Sequence, residues 1–317
     1  MTDTNATASA PRVQLIQIGQ RHHDQRLDNF LLSQLKGVPK SRVYKLLRSG
    51  QVRVNKGRKK PDYRLQSGDE VRIPPVRMTE KSTDQAPRYL LDSLASRVIL
   101  EDDAILVINK PAGLAVHSGS NIPFGVIEIL RQLRPEAAML ELVHRLDRDT
   151  SGCLVIAKTR PALTRLHELF RRERAMEKIY RAVLAGRWQG GEQLVDAPLQ
   201  KNTLQGGERM VCVDPDGKPA QSLFTPLDYY KEATYAEIHL YTGRTHQIRV
   251  HAAHVGHPVA GDPKYGNKNF NQYLKNNNLK RMFLHAYKLS FELDKAYEVI
   301  APLDQDWHAL MALLQQQ

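Results

Sequence analysis

HRLDRDTSG, residues 144–152, sets four ionised side chains and two hydroxyls between apolar runs, Leu142-Val143 before and Leu154-Val155-Ile156 after. A polar loop whose ends are fixed by buried strands is a common place for catalytic groups. Asp147 and Asp149 are both candidates, and spacing does not choose between them. The plain alternative is a salt-bridged turn in which Asp147 pairs only with Arg145 or Arg148.

Outward from that loop the pattern is one of strands mixed with helices. Cys153 to Ala157 reads as a buried strand, and so does Ile105-Leu106-Val107-Ile108, which ends at Asn109-Lys110-Pro111. Leu163, Leu166, Leu169 and Phe170 recur at helical spacing. Ile179 to Ala185 is a further strand. From Tyr235 to Tyr241, Ala236, Ile238 and Leu240 alternate with Glu237 and His239. No regular βαβ rhythm appears, so the class is α+β with a mixed, largely antiparallel sheet. The Asn-rich stretch from Gly266 to Asn278 reads as a surface loop.

A second polar constellation is TGRTHQIRVHAAHVGHP, residues 242–258. Thr245 can cap a helix that carries His246 and Arg249 at i, i+3, on one face. Gly256 and Pro258 end it. The four histidines at 246, 251, 254 and 257 do not place three on one helical face. The segment also holds no carboxylate, so the reading is no metal site. A cationic helix start facing a phosphate or a carboxylate fits better.

At 317 residues the chain has room for two domains, and its 41% hydrophobic and 25% charged residues are those of an ordinary globular protein. No apolar run approaches the roughly 20 residues that cross a bilayer. The start of the chain lacks the layout of a signal peptide. Two cysteines, Cys153 and Cys212, support neither a disulfide framework nor a four-cysteine zinc site. A reduced, cytoplasmic setting follows, with no membrane association. The net charge is +12, and residues 36–60 hold ten Lys/Arg without a single Asp or Glu. The rest of the chain carries 36 basic against 34 acidic residues, so the excess lies in one short segment. That is the electrostatic footprint of a polyanion-binding surface.

The organisation expected is a disordered tail over 1–12, a small domain over 13–76, a linker over 77–97 and a larger domain over 98–317. In the small domain Leu27, Phe30, Leu31 and Leu35 mark one helix. Ser41, Val43, Leu46, Leu47 and Gly50 mark a second, and short strands separated by turns follow. Lys40, Arg42, Lys45, Arg48 and Arg53 lie on or beside the second helix. RLDNFLLSQL, SRVYKLLRSGQVRVNKG and LQSGDEVRIP resemble the ribosomal protein S4-like RNA-binding domain. The resemblance implies that those five cations bind structured RNA.

From Val98 onward the chain resembles the RluA-type family of RNA pseudouridine synthases. VINKPAGLAVH (107–117) is similar to the family's first motif, HRLDRDTSG to its catalytic motif, KIYRAVLAG (178–186) to its tyrosine motif and TGRTHQIRVH to its arginine motif. The resemblance implies isomerisation of uridines in large-subunit (23S) ribosomal RNA, without cofactor or metal. It implies Asp147 as the catalytic carboxylate, Tyr180 as the residue stacking on the target base and Arg249 as the partner of Asp147. It also implies Arg145 as the side chain that enters the space left by the flipped nucleotide. The partner is ribosomal RNA; no protein partner is implied, and a monomer is expected. Two other classes are weighed against this. A methyltransferase would need a Gly-rich cofactor turn, which Lys110-Pro111-Ala112-Gly113 is not. A non-enzymatic ribosome assembly factor would leave the 144–152 and 242–258 constellations unexplained.

Overall fold

The computed structural model describes residues 12–35, 38, 40–76, 85–119, 122–172, 174–203 and 209–316, with only the backbone of Lys40, Ser41, Thr203 and Arg209. Nearly all of the expected tail therefore lies outside the described residues. The chain divides into two units, Met1–Gln85 and Ala86–Gln317.

In the first unit, strand β1 (Gln14–Gln17) precedes helices α1 (Leu27–Gln34) and α2 (Lys40–Arg48), which are followed by β2 (Arg53–Val54) and β3 (Glu70–Ile73). The sheet order is β1-β3-β2, antiparallel throughout. The reading of helices followed by strands misses β1, because Leu15 is 61% exposed and the segment lacks a clean apolar alternation. Phe30, Leu31, Val43, Leu46, Val54, Val71 and Ile73 close the core. Gly50, at φ +66°, ends α2, with the amide of Gln51 bonded to Leu46 O at 3.0 Å. Val43, Leu46 and Leu47 face inward, so Arg42, Lys45 and Arg48, spaced by three, fall together on the exposed face.

The second unit opens with α3 (Arg88–Ala95), β4 (Val98–Glu101), β5 (Ile105–Lys110), α4 (Val126–Leu133) and β6 (Glu141–Leu142). Next come β7 (Ser151–Ala157), α5 (Arg160–Arg171), β8 (Glu177–Ala185), β9 (Gln193–Asp196), β10 (Leu199–Thr203) and β11 (Arg209–Val213). It closes with β12 (Gln221–Tyr229), β13 (Ala233–Leu240), α6 (Gln247–His254), α7 (Lys268–Asn276), β14 (Leu284–Glu292), β15 (Ala296–Ile300) and α8 (Gln305–Gln315). The main sheet runs β4-β5-β7-β14-β8-β13-β12-β9, with β6 added to β7 and β15 to β14. Among the described residues its one parallel pair is β7–β14, so the α+β class and the mixed, largely antiparallel sheet are what the chain forms.

Two expected segments differ. Of the linker expected over 77–97, residues 77–84 lie outside the described residues and 86–97 belong to the second unit. There α3 buries Leu94 and packs Leu90 and Leu91 on the core, which also takes in Ala86. The Asn-rich stretch is not a loop but helix α7. Asn267 caps it by accepting from the amide of Phe270 at 3.0 Å, while Phe270 and Leu274, one turn apart, are buried. Asparagine thus supplies the cap around a two-residue apolar stripe.

Gly152 fixes how the polar loop joins the sheet. All seven residues of β7 are buried, and its first two pair with β14, Ser151 with His285 and Gly152 with Ala286. Gly152 has φ +109°, and a Cβ there would lie 2.2 Å from Ala286 O. Only glycine allows this approach.

Candidate active site

Four elements converge on a cavity of about 320 Å³. The loop between β6 and β7 brings His144, Arg145, Asp147 and Thr150; β8 brings Lys178 and Tyr180; α6 and its approach bring His246 and Arg249; α5 adds Phe170. Asp147, Arg145, Tyr180 and Arg249 therefore meet at one site, with Arg145 exposed and Arg249 buried. Lys40, Arg42, Lys45, Arg48 and Arg53 lie in the other unit; the side chain of Lys40 lies outside the described residues. Among those residues, no acidic partner meets Arg42, Lys45, Arg48 or Arg53.

Arg249 organises the centre. Its Nε and Nη2 donate to the two oxygens of Asp262 at 2.7 and 2.9 Å, a bidentate pair, and its Nη1 donates to Asp147 Oδ2 at 3.1 Å. Burial alone would lower the guanidinium's pKa; Asp262 and Asp147 outweigh it and raise the value. Asp262 is buried, which opposes its charge, yet Arg249 and the amides of Lys264 and Tyr265 hold its carboxyl below the usual range. The ring of Tyr265 lies under the guanidinium, 5.1 Å from centroid to Cζ. Spacing did not point to Asp262 or Tyr265. The only signal is a carboxylate just after the buried Val259-Ala260 pair, in the turn sequence GDPKYG.

His246 stands beside this pair, its Nε2 3.8 Å from Asp147 Oδ2 and its Nδ1 2.9 Å from the Tyr265 hydroxyl. Burial lowers its pKa, with Asp147 acting against the shift. Thr245 does not cap α6. The cap position is His246 itself, left-handed at φ 55°, and Gln247 Oε1 accepts from Thr242 Oγ1 at 2.7 Å and from the amide of Arg244 at 3.0 Å. The anion facing this helix start is the chain's own Asp147. Two of the other histidines serve separate bonds. His251 meets Ser222 Oγ and Ala197 O, and His257 meets Ala185 O.

The two aspartates of the loop part company. Asp149 pairs with its neighbour Arg148 at 3.1 Å and lines a different cleft. The pairing of Asp147 with Arg145 or Arg148, the alternative left open by the sequence, is replaced by Arg249. Tyr180 is half-buried at the junction of two core clusters; burial first, then the charge of Asp147, raises its hydroxyl's pKa.

The loop is held from behind by two buried anchors. Lys110 Nζ donates to Pro111 O, Leu114 O and Arg148 O at 2.8, 2.7 and 2.9 Å. Burial brings its pKa down to about 7 against the pull of Asp149 and Asp147. Ser151 Oγ bonds His285 Nδ1 at 2.8 Å and accepts from Arg281 Nη2 at 2.7 Å. For Lys110 the sequence signal is only a lysine directly after the apolar strand in VINKPAG; its burial and the Ser151–His285 link required the fold.

Residues 104–254 match the RNA pseudouridylate synthase family and residues 25–71 the S4 domain. The chain belongs to the RNA pseudouridine synthases. It is 52% identical to ribosomal large subunit pseudouridine synthase C of Yersinia pestis, over 96% of each chain. To the protein of the same name from Haemophilus influenzae it is 48% identical, over 99% of this chain and 98% of that one. Among solved structures, human RNA pseudouridylate synthase domain containing 4 shares the fold, with a TM-score of 0.61 and 24% identity over 72% of this chain and 96% of that one.

Proposed function

We propose that this chain isomerises uridines of large-subunit (23S) ribosomal RNA to pseudouridine, with Asp147 as the catalytic carboxylate acting on a uridine flipped out of its stack. The observation that carries this reading is the Asp147–Arg249 pair, 3.1 Å apart in a cavity that Tyr180 also lines. The relatives' names supply the RNA. In the reaction the N1–C1′ bond breaks, the uracil turns and a C5–C1′ bond forms. The proton leaves C5 and N1 gains one. Substrate and product are isomers, so the chemistry calls for no redox partner and no group donor. A carboxylate suffices, as nucleophile or as the base that starts elimination at the sugar.

A base inside an RNA stack is out of reach, and its extrusion costs a few kcal/mol. Tyr180 offers an aromatic face that offsets the lost stacking. Arg145, exposed at the same cavity, is suited to fill the space the nucleotide leaves. Arg249 fixes the carboxylate, and Asp262 fixes Arg249. Lys40, Arg42, Lys45, Arg48 and Arg53 supply sequence-independent hold on RNA phosphates. The setting in this reading is the cytoplasm, with a monomer as the working form.

Incubating the purified chain with 23S ribosomal RNA transcript, with nothing added, tests the reading. Mapping should find pseudouridine at discrete positions with the wild type and none with Asp147→Asn. Tight RNA binding without any pseudouridine would replace this reading with that of an assembly factor.

A further inference from the structure

Asp147 lines one cavity, but the next two residues, Arg148 and Asp149, line another, a cleft of about 510 Å³. Its floor is the Pro111-Ala112-Gly113 turn, tied to the loop by the bond from the amide of Gly113 to Arg148 O at 2.9 Å. Five cations and three carboxylates line it. The carboxylates are answered within the protein. Asp149 pairs with Arg148, and Asp304 and Asp306 pair with Arg281. Arg97, Lys275 and Lys280 have no acidic partner among the described residues, and both lysines are exposed. No aromatic residue lines the cleft among those residues.

The sequence carries the same signal in a place where the overall balance hides it. From residue 263 to 291 there are five Lys and one Arg and no Asp or Glu. This second acid-free run forms α7 and the turn into β14, which is the wall of the cleft. Lys275 and Lys280 on that wall, with Arg97 beside them, have no acidic partner among the described residues, and cations so placed, with nothing on which a base could stack, suit a phosphate backbone and not base recognition.

We infer that this cleft is a second RNA-backbone site, holding the phosphodiesters of a strand that flanks the target uridine, with Arg97, Lys275 and Lys280 as its contacts. The inference rests on the RNA-isomerising reading above. A strand whose nucleotide enters the Asp147 cavity must pass the loop, and the loop's other neighbour is this cleft. Arg281 belongs to both, since it lines the cleft and donates to Ser151 at the end of the loop. The contact is therefore made against a wall that is already braced.

The test compares wild type with Arg97→Gln/Lys275→Gln/Lys280→Gln in the full chain, on two RNAs. One carries a mapped target uridine in its own hairpin only; the other extends the same hairpin by its natural flanking strands. For the extended RNA, three lost phosphate contacts should weaken binding about tenfold near physiological salt. They should also reduce the slope of log affinity against log salt by about 2. The hairpin alone should bind the two proteins alike, and the single-turnover rate at saturating RNA should agree within about twofold. The double variant Lys275→Gln/Lys280→Gln, which alters exposed side chains only, should move in the same direction by a smaller factor. The inference is overturned if the extended RNA keeps its affinity and salt slope in the variants. It is equally overturned if the double variant weakens both RNAs alike, because the cations would then act by general attraction. Absence of pseudouridine from the wild type on either RNA would sink the synthase reading, and the binding comparison would still report on the cleft.

Discussion

Two aspartates two residues apart in one loop end up with different partners, and the difference can be measured. Asp147→Asn keeps the size of the side chain and a hydrogen bond to Arg249, so fold and RNA affinity should survive. Single-turnover isomerisation should fall by about 10⁴, the upper range for a lost acid–base group. Asp149→Asn changes a half-exposed pair with Arg148 in the other cleft and should leave activity within about tenfold. Equal losses would mean that the loop works as a unit and that Asp147 has no special role. Asp262 is the second aspartate of the centre. Asp262→Asn removes the charge of the bidentate partner and leaves the buried Arg249 with Asp147 as its remaining carboxylate, and breaking such a pair costs about 3 kcal/mol. Urea denaturation should show that loss. The single-turnover rate should fall with RNA affinity unchanged; a full rate in the destabilised variant would confine Asp262 to the fold.

Among the elements, α2 is where affinity and chemistry should come apart. Arg42→Glu/Lys45→Glu reverses charge on its exposed face and touches none of the buried Val43, Leu46 and Leu47. Filter binding should show weaker attachment to ribosomal RNA and a flatter salt dependence, with turnover of bound RNA little changed. An unaltered salt slope would make α2 a solvated face. Gly152→Ala is the corresponding test of the sheet. The added methyl group meets Ala286 O, so thermal melting should show a loss well above 1 kcal/mol. A variant as stable as wild type would show that β7 and β14 need not approach so closely. How far each element could be read from sequence follows from how local its cause is. The strands around 144–152 were legible because continuous apolar runs flank a polar one. α7 was not, because asparagines hid the Phe270–Leu274 pair. Tyr180 is an ordinary strand residue until β8 is placed beside the loop. Asp262 acquires its role only when the Arg249 fork is turned toward it, and no spacing encodes that rotation.

For the whole molecule, acid should act through buried histidines before it acts through carboxylates. Burial pushes His144 down to about 3, with the charge of Lys178 adding to it, and pushes His285 down to about 4. Unfolded, both titrate near 6.5. Between these values the unfolded chain binds more protons than the folded one. Stability is therefore full above about pH 6.5 and is lost as pH falls toward 4. Asp102 behaves as a separate case. Burial opposes its charge, but the amides of Ile105 and Ala104, Tyr297 and Lys295 bring it down to about 2, so its contribution persists until pH drops below 3.8. Melting temperature should thus decline between pH 7 and pH 5, where Asp102 is silent, and His144→Gln should shallow that decline. A flat profile over that interval would show that neither histidine is held neutral by the fold.

The place of β14 in the sheet has a consequence for the order of events during synthesis. It lies between β7 and β8, yet it is made more than a hundred residues after both. Until residue 284 has left the ribosome, the start of β7, at Ser151 and Gly152, lacks its partner strand, and unpaired strand edges of that kind invite aggregation. The Asp147–Arg249 pair spans 102 positions, so the centre cannot close on a nascent chain that has exposed only the 144–152 loop. Such long-range closure is slow compared with local folding. A chain stalled at about residue 260 already contains the loop, Tyr180 and Arg249. It should nevertheless be inert and recruit chaperones, and release with residues 261–317 in place should bring activity and protease resistance together.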